Sequence, residues 1–394
     1  MKKLLLASTA TLLTATAALA EEAKVGVILG FTGPLESITP IMADGAELAL
    51  SEANASGTFL DGVTLTPVRG DSTCIDAAAA TAAAERLVTT DGVVAIMGAD
   101  CSGVTGAVLS NVAVPNGIPM ISPSATSPAL SAAEDNGLFF RTAPSDARQG
   151  EVLAEILNEK GITDVAVTYT NNDYGKGLAD SFEAAFTANG GTVTLSAPHE
   201  DGKADYSAEI GALASAGGDV LAVFGYTDQG GKGIIQASID TGAFDTYVMG
   251  DGMYGDQLLA DLGADMEGSF GTVPWSEGEG TDIFNKLATD AGINPDSSYT
   301  RESYDAAALI ALAMMAGGEA SSKAVADNVL NVANAPGEPI LPGELGKAFE
   351  IIANGGEIDY VGATGVELIG PGEAAGSYRH FTVEGSKYET VEFK

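Results

Sequence analysis

The chain has 394 residues, too many for one compact core and enough for two lobes. Its 54 Asp and Glu against 18 Lys and Arg give a formal net charge of −36, which repels phosphate backbones and anionic headgroups and so excludes nucleic acid and membrane surfaces as partners. A hydrophobic content of 45% with 6% aromatics and 50 glycines is globular rather than disordered, while two His and two Cys cannot complete a zinc site without carboxylates and leave little for a His-dependent triad, so no metal or cofactor is expected.

The chain begins Met1-Lys2-Lys3, continues through an apolar run from Leu4 to Leu19, and reaches Ala18-Leu19-Ala20 before Glu21. A basic start, an apolar run and an A-x-A site read as a secretory signal cut between Ala20 and Glu21. Losing Lys2 and Lys3 would take the net charge of −36 to −38. The longest later apolar run, Ala306 to Ala316, is too short to span a bilayer, so the mature chain is expected to be soluble, free of a lipid-anchor cysteine, and periplasmic.

From residue 25 onward, β-branched runs alternate with Ala-rich amphipathic stretches, the pattern of a parallel sheet covered on both faces by helices. Strands are predicted at Val25–Gly30, Val63–Val68, Val93–Gly98, Met120–Ser122 and Leu138–Thr142, with helices at Pro40–Ala55, Asp76–Thr90, Ser102–Val114 and Pro128–Glu134. Thr39-Pro40 and Ser127-Pro128 read as capping hydroxyls ahead of a proline in the first turn. The only cysteines, Cys74 and Cys101, follow two of these strands and meet an oxidising compartment, so a disulfide between them is expected.

The series restarts near Ala143-Pro144-Ser145, with strands at Val165–Tyr169, Val193–Ala197, Val220–Gly225, Tyr247–Gly250 and Gly268–Val273 and helices starting near Asp146, Asp173, Tyr206, Gln229 and Asp256. Beyond Pro274 come helices at Asp282–Ala291, Tyr299–Met315 and Ser321–Val332, followed by short strands between Gly and Pro. This remainder is too poor in strands for a third sheet domain. The expected architecture is therefore α/β, two doubly wound parallel-sheet lobes joined by three crossovers near Ala143, Thr272 and Gly376. Residues 21–143 and 273–375 form the N-terminal lobe, and 144–272 and 376–394 the C-terminal lobe.

Gly250-Asp251-Gly252-Met253-Tyr254-Gly255 matches G-x-G-x-x-G, but the helix after it is short and Asp251 would face the pyrophosphate, so a dinucleotide site is rejected. His199 and His380 lie far apart at strand ends and read as structural surface residues. Ligands of open α/β sheets bind beyond the carboxyl ends of the strands. There the first half offers Ser102 and Ser124-Ala125-Thr126 at expected helix starts, a receptor for a carboxylate, and the second half offers Tyr174, Tyr226 and Asp251, a carboxylate between aromatic rings suited to an ammonium group. An amino acid is the simplest ligand that satisfies both.

The segments Val25-Gly26-Val27, Thr32-Gly33-Pro34, Asp44 to Ala49, Cys74 with Cys101-Ser102, Ile121-Ser122-Pro123 with Ala125-Thr126, Phe140-Arg141-Thr142, Asp173-Tyr174-Gly175 and Gly225-Tyr226 together resemble the periplasmic substrate-binding proteins of branched-chain amino acid ABC transporters, the leucine/isoleucine/valine-binding type. The resemblance spans the mature chain and implies a type I periplasmic binding protein fold, no enzymatic activity, an inner-membrane ABC permease as partner and a monomer. It also implies that Cys74 pairs with Cys101, that Ser102, Thr126 and the backbone at Ser124 hold a ligand carboxylate, and that Tyr174 and Tyr226 line the opposite lobe. The ammonium-binding acid, usually Glu in the family, is Asp251 here, and Leu35-Glu36-Ser37-Ile38 stands where leucine binders place an aromatic ring. A binder of an amide, urea or aromatic acid, a ligand-sensing receptor module, and an exported hydrolase are the alternatives.

Overall fold

A computed structural model describes residues 21–394; the expected signal segment and its cleavage point before Glu21 lie at and beyond the edge of the described residues. In chain order the strands are β1 (Glu22–Leu29), β2 (Thr64–Asp71), β3 (Ala95–Gly98), β4 (Met120–Ser122), β5 (Phe139–Arg141), β6 (Asp164–Thr170), β7 (Thr192–His199), β8 (Val220–Phe224), β9 (Tyr247–Met249), β10 (Phe270–Pro274), β11 (Glu338–Ile340), β12 (Ile358–Tyr360), β13 (Leu368–Ile369), β14 (Glu373–Ala374), β15 (Tyr378–Glu384) and β16 (Lys387–Phe393). They assemble into two seven-stranded sheets, ordered β13-β14-β5-β4-β3-β1-β2 and β16-β15-β10-β9-β8-β6-β7, with β11 and β12 as a separate pair. The central pairings are parallel, and antiparallel strands occur only at the edges, where β13 meets β14 and β15 meets β10 and β16. Central strands such as Val220-Leu221-Ala222-Val223-Phe224 are buried at every residue, as a sheet covered on both faces requires.

The chain passes between sheets three times, after β5 through Thr142–Ser145, after β10 toward the helix Glu279–Asp290, and between β14 and β15 through Gly376 and Ser377. The apolar run from Ala306 belongs to the helix Thr300–Gly317, buried from Thr300 to Met315 and packed on the helix Thr39–Ala55. Gly45 permits this approach, because a Cβ there would stand 2.6 Å from the Thr300 carbonyl oxygen. Among the described residues no helix is long and apolar enough to cross a membrane.

Several local expectations change. Thr39 lies inside its helix, behind Ile38, and its hydroxyl donates to the Gly30 carbonyl at 2.8 Å instead of capping. Ser127 does cap, accepting from Ala129 N at 3.3 Å, which leaves Thr126 in the preceding loop rather than at a helix start. A helix, Leu345–Ala353, stands where only strands were expected, burying Leu345, Ala348 and Phe349. His199 and His380 are buried, not on the surface; His199 Nδ1 meets the Thr168 hydroxyl at 2.9 Å.

Candidate functional site

The loops that follow β1, β3 and β4 in one lobe face those that follow β6, β8 and β9 in the other. Cys74 and Cys101 form a disulfide with Cα atoms 5.1 Å apart. It ties the loop after β2 to the loop that delivers Ser102 as the first residue of the helix Ser102–Val108. Beneath it, Asp100 is buried and accepts from Gly30 N at 2.8 Å and from the Ser72 hydroxyl at 2.8 Å; burial pushes its carboxyl up, and these donors hold it back. Ser102 Oγ accepts from Ser127 N at 3.0 Å, leaving its own hydroxyl hydrogen to donate. Ala125 N is committed to Ser122 Oγ at 2.9 Å, and the Ser124 hydroxyl donates to the Asp100 carbonyl at 3.0 Å. Thr126 Oγ1 is buried with no hydrogen-bond partner.

In the other lobe, Asn172 caps the helix Asp173–Ala188, fixing Tyr174 in its first turn, and the two rings Tyr174 and Tyr226 stack with centroids 5.2 Å apart. The Tyr174 hydroxyl donates to Asp251 Oδ1 at 2.9 Å and accepts from Gly252 N at 3.0 Å. The Tyr226 hydroxyl instead accepts from Asn172 Nδ2 at 3.1 Å. Asp251 is therefore held by one of its two expected rings. Its second phenol is Tyr299, which comes from the opposite lobe at the head of the helix Thr300–Gly317 and donates to Asp251 Oδ2. Burial raises the Asp251 carboxyl above its ordinary range, and the Tyr299 and Tyr174 hydroxyls lower it again in part.

The glycines of the G-x-G-x-x-G run serve this packing. A Cβ at Gly252 would lie 2.6 Å from the Gly225 carbonyl oxygen and 2.9 Å from the Tyr174 hydroxyl, and one at Gly255 would lie 2.8 Å from Thr227 Oγ1. The helix that follows, Asp256–Leu262, has seven residues, as the rejection of a dinucleotide site required.

Ser102, Ala125, Thr126, Tyr174, Tyr226 and Asp251 are all buried, and Ser124 is half-buried, with contacts between the lobes closing around them. Ser37 N and Oγ each donate to the Asp228 carboxylate at 2.9 Å, and Asp228 N donates to the Pro34 carbonyl at 3.1 Å. Gly177 faces Ser127 and Pro128, and the Ser298 hydroxyl donates to the Tyr254 carbonyl at 3.0 Å. Leu35 and Ile38, where leucine binders were expected to carry a ring, are aliphatic and buried. Two residues here escaped the sequence reading, Tyr299 and Asp146. Asp146 opens the helix Asp146–Glu159 directly after the first crossover and donates its N–H to the Thr126 carbonyl at 2.9 Å.

A periplasmic binding protein family model matches residues 22–344. The chain belongs to this family. Leu/Ile/Val-binding protein homolog 1 of Brucella melitensis biotype 1 is 32% identical over 308 residues, 77% of this chain and 80% of that protein. The chemotactic signal transduction system substrate-binding protein BasB of Halobacterium salinarum is 30% identical over 362 residues, 86% of this chain and 82% of the other. Among solved structures, the leucine-binding protein LivK of Thermotoga maritima superposes with a TM-score of 0.78 at 22% identity, over 94% of this chain and 98% of its own. A solute-binding protein of Rhodopseudomonas palustris in complex with p-hydroxybenzoic acid gives 0.74 at 19% identity, over 95% and 97%. At these identities the two structures speak to the fold, and they share the two-lobed architecture of this periplasmic binding protein. Its curated relatives are Leu/Ile/Val-binding proteins and a chemotactic substrate-binding protein.

Proposed function

We propose that this protein captures an amino acid or closely related small zwitterion between its lobes outside the cytoplasm and hands it to an inner-membrane ABC permease. The observation that carries the reading is the paired chemistry across the cleft, with the Ser102 and Thr126 hydroxyls on one lobe and Asp251, gripped by a phenol from each lobe, on the other. A ligand touching both halves stabilises the closed state by its extra affinity for that state, so uptake is hinge closure and involves no covalent chemistry. Export through a signal cut after Ala20, and action as a monomer, complete the proposal. The likeness to Leu/Ile/Val-binding proteins supports the ligand class; the aliphatic Leu35–Ile38 segment leaves the side-chain preference within that class to experiment.

A thermal-shift panel of amino acids, amides and aromatic acids tests the reading. Stabilisation by amino acids, weakened in Ser102→Ala, supports it, and stabilisation only by uncharged or purely anionic compounds overturns it. The likeness to BasB favours a second reading, delivery of the same ligand to a chemosensory receptor. Ligand-dependent uptake in cells lacking this protein separates the two, since a sensor leaves uptake unchanged.

A further inference from the structure

The three crossovers enclose a cavity of about 20 Å³, walled by Thr142 and Pro144 from the first, Trp275 and Ser276 from the second, and Gly376 and Ser377 from the third. The head of the helix Thr300–Gly317 supplies the one buried acid on its wall, Glu302; the other acid there, Glu367, is exposed. A space of that size holds about one water, far short of the shell that an ionised carboxylate draws around itself.

The walls do not replace that water. A hydroxyl has a single hydrogen to give, and each of the four that line the cavity gives it elsewhere. Thr142 donates to the backbone carbonyl of Glu302 at 2.8 Å, Ser276 to the Thr364 carbonyl at 2.6 Å, Ser377 to the Trp275 carbonyl at 2.6 Å, and Thr364 to the Asp305 carboxylate at 2.6 Å. The crossover residues on the wall carry no charge. The charges that reach Glu302 lie on its own helix and oppose one another. Arg301 is committed to Asn285 and Asp296 and stacks on Trp275, while Asp305 is held by the Tyr360 hydroxyl and the Ala363 and Thr364 N–H groups. Burial is the largest influence and raises the Glu302 carboxyl to about 7; Asp305 adds to the rise, and the residue's own N–H and Arg301 hold it back in part.

We propose that Glu302 couples closure of the lobes to a proton: its carboxyl is neutral while the lobes are together and ionised when they part, so ligand capture takes up a proton and weakens as the surroundings turn alkaline. This rests on the reading of the protein as a two-lobed binder that closes on its ligand. The cavity walls are the segments about which the lobes turn, so rotation parts them and admits water to the carboxyl, returning it toward its ordinary range. The closed state then binds the proton more tightly than the open one. Its advantage is fully present below the ordinary carboxylate range and is lost as pH rises through about 7. With the open-state carboxyl fully hydrated, affinity falls about tenfold between pH 6 and pH 8.

The test is calorimetry on the full chain at pH 6, 7 and 8, in buffers of different ionisation enthalpy, with L-amino acids whose side chains do not titrate in this range as probes. The expected result is uptake of about half a proton per probe bound at pH 7 and the tenfold fall in affinity, both absent from Glu302→Gln. Binding whose affinity ignores pH and whose heat ignores the buffer overturns the proposal and leaves the binding function standing. Uptake that persists in Glu302→Gln places the proton at Asp305 or at the acids of the cleft and overturns it equally. Failure of every probe to bind removes the proposal together with the reading on which it rests. Glu302→Met, uncharged and of similar volume, gives the same comparison should the Gln variant fold poorly.

Discussion

Asp251 concentrates most of the site's chemistry in one side chain, because a phenol from each lobe reaches it and the approach of Tyr299 exists only when the lobes are together. Removing one member of a buried, hydrogen-bonded charge pair leaves the other uncompensated, so Asp251→Ala should cost about 3 to 5 kcal/mol of ligand binding by calorimetry. Tyr299→Phe keeps the ring and loses one hydrogen bond to a charged group, and should cost about 1.5 to 3 kcal/mol. Unchanged affinity in both variants would displace the ligand from this end of the cleft. Ser102, Thr126, Tyr174 and Asp251 were legible as residues beyond strand ends. Tyr299 was not, since it lies 48 positions from Asp251, beyond the second crossover and at a helix start that no strand precedes. Asp146 was legible only as the beginning of a helix, the ordinary place for an acid, and its burial becomes visible only when neighbouring elements are packed around it.

At the level of elements, two connections hold the binding loops. The disulfide fixes the loop before Ser102 from behind; in the chain-entropy account, closing its span of 27 residues is worth about 3 to 4 kcal/mol, so Cys74→Ser with Cys101→Ser should lower unfolding stability by that amount in denaturant titrations. The loop after β1 meets the loop after β8 through Ser37 and Asp228. These hydrogen bonds cross between lobes, so opening of the cleft would break them. Asp228→Ala should therefore speed ligand release and weaken affinity about five- to tenfold, while small-angle scattering shows a larger open fraction without ligand. Equal release rates would remove the latch from the mechanism. The strands were predicted within a few residues because β-branched runs between Ala-rich stretches are a local signal; the helix Leu345–Ala353 was missed because it is short and set among Gly- and Pro-rich strands.

Across the whole molecule, the crossovers gather groups whose titration matters for stability. Glu302, on the helix Thr300–Gly317 beside the first crossover, is buried, and burial raises its carboxyl to about 7; its backbone carbonyl receives the Thr142 hydroxyl at 2.8 Å. A carboxyl whose folded pKa is raised stabilises the fold fully below the ordinary carboxylate range and loses that contribution as pH rises through about 7. Glu302→Gln should therefore gain stability relative to the parent by about 3 kcal/mol between pH 5 and pH 8, read by denaturant unfolding at each pH. His199 acts at the other end: burial lowers it to about 4, so its neutral form is favoured on folding and stability is lost as pH falls from 6.5 toward 4. The single tryptophan, Trp275, follows β10 at the second crossover, with Arg301 4.1 Å and Arg379 4.9 Å from its ring centroid, one guanidinium from each lobe. Its fluorescence should change on ligand-driven closure, and a spectrum indifferent to a saturating ligand would place the motion elsewhere.

The sequence by itself determined the α/β class, the restart of the strand series near Ala143, the pairing of the two cysteines, and which hydroxyls, rings and carboxylate stand beyond strand ends, because each is written in local periodicity and in the order of elements. Only the tertiary structure decided that Asp251 is shared between lobes through Tyr299, that Tyr226 answers to Asn172, and that Asp146 lies fully buried near Asp251. Those facts depend on which side chains meet after three crossovers have folded the chain back on itself, and on the loss of water when the lobes close, neither of which any local stretch of residues encodes.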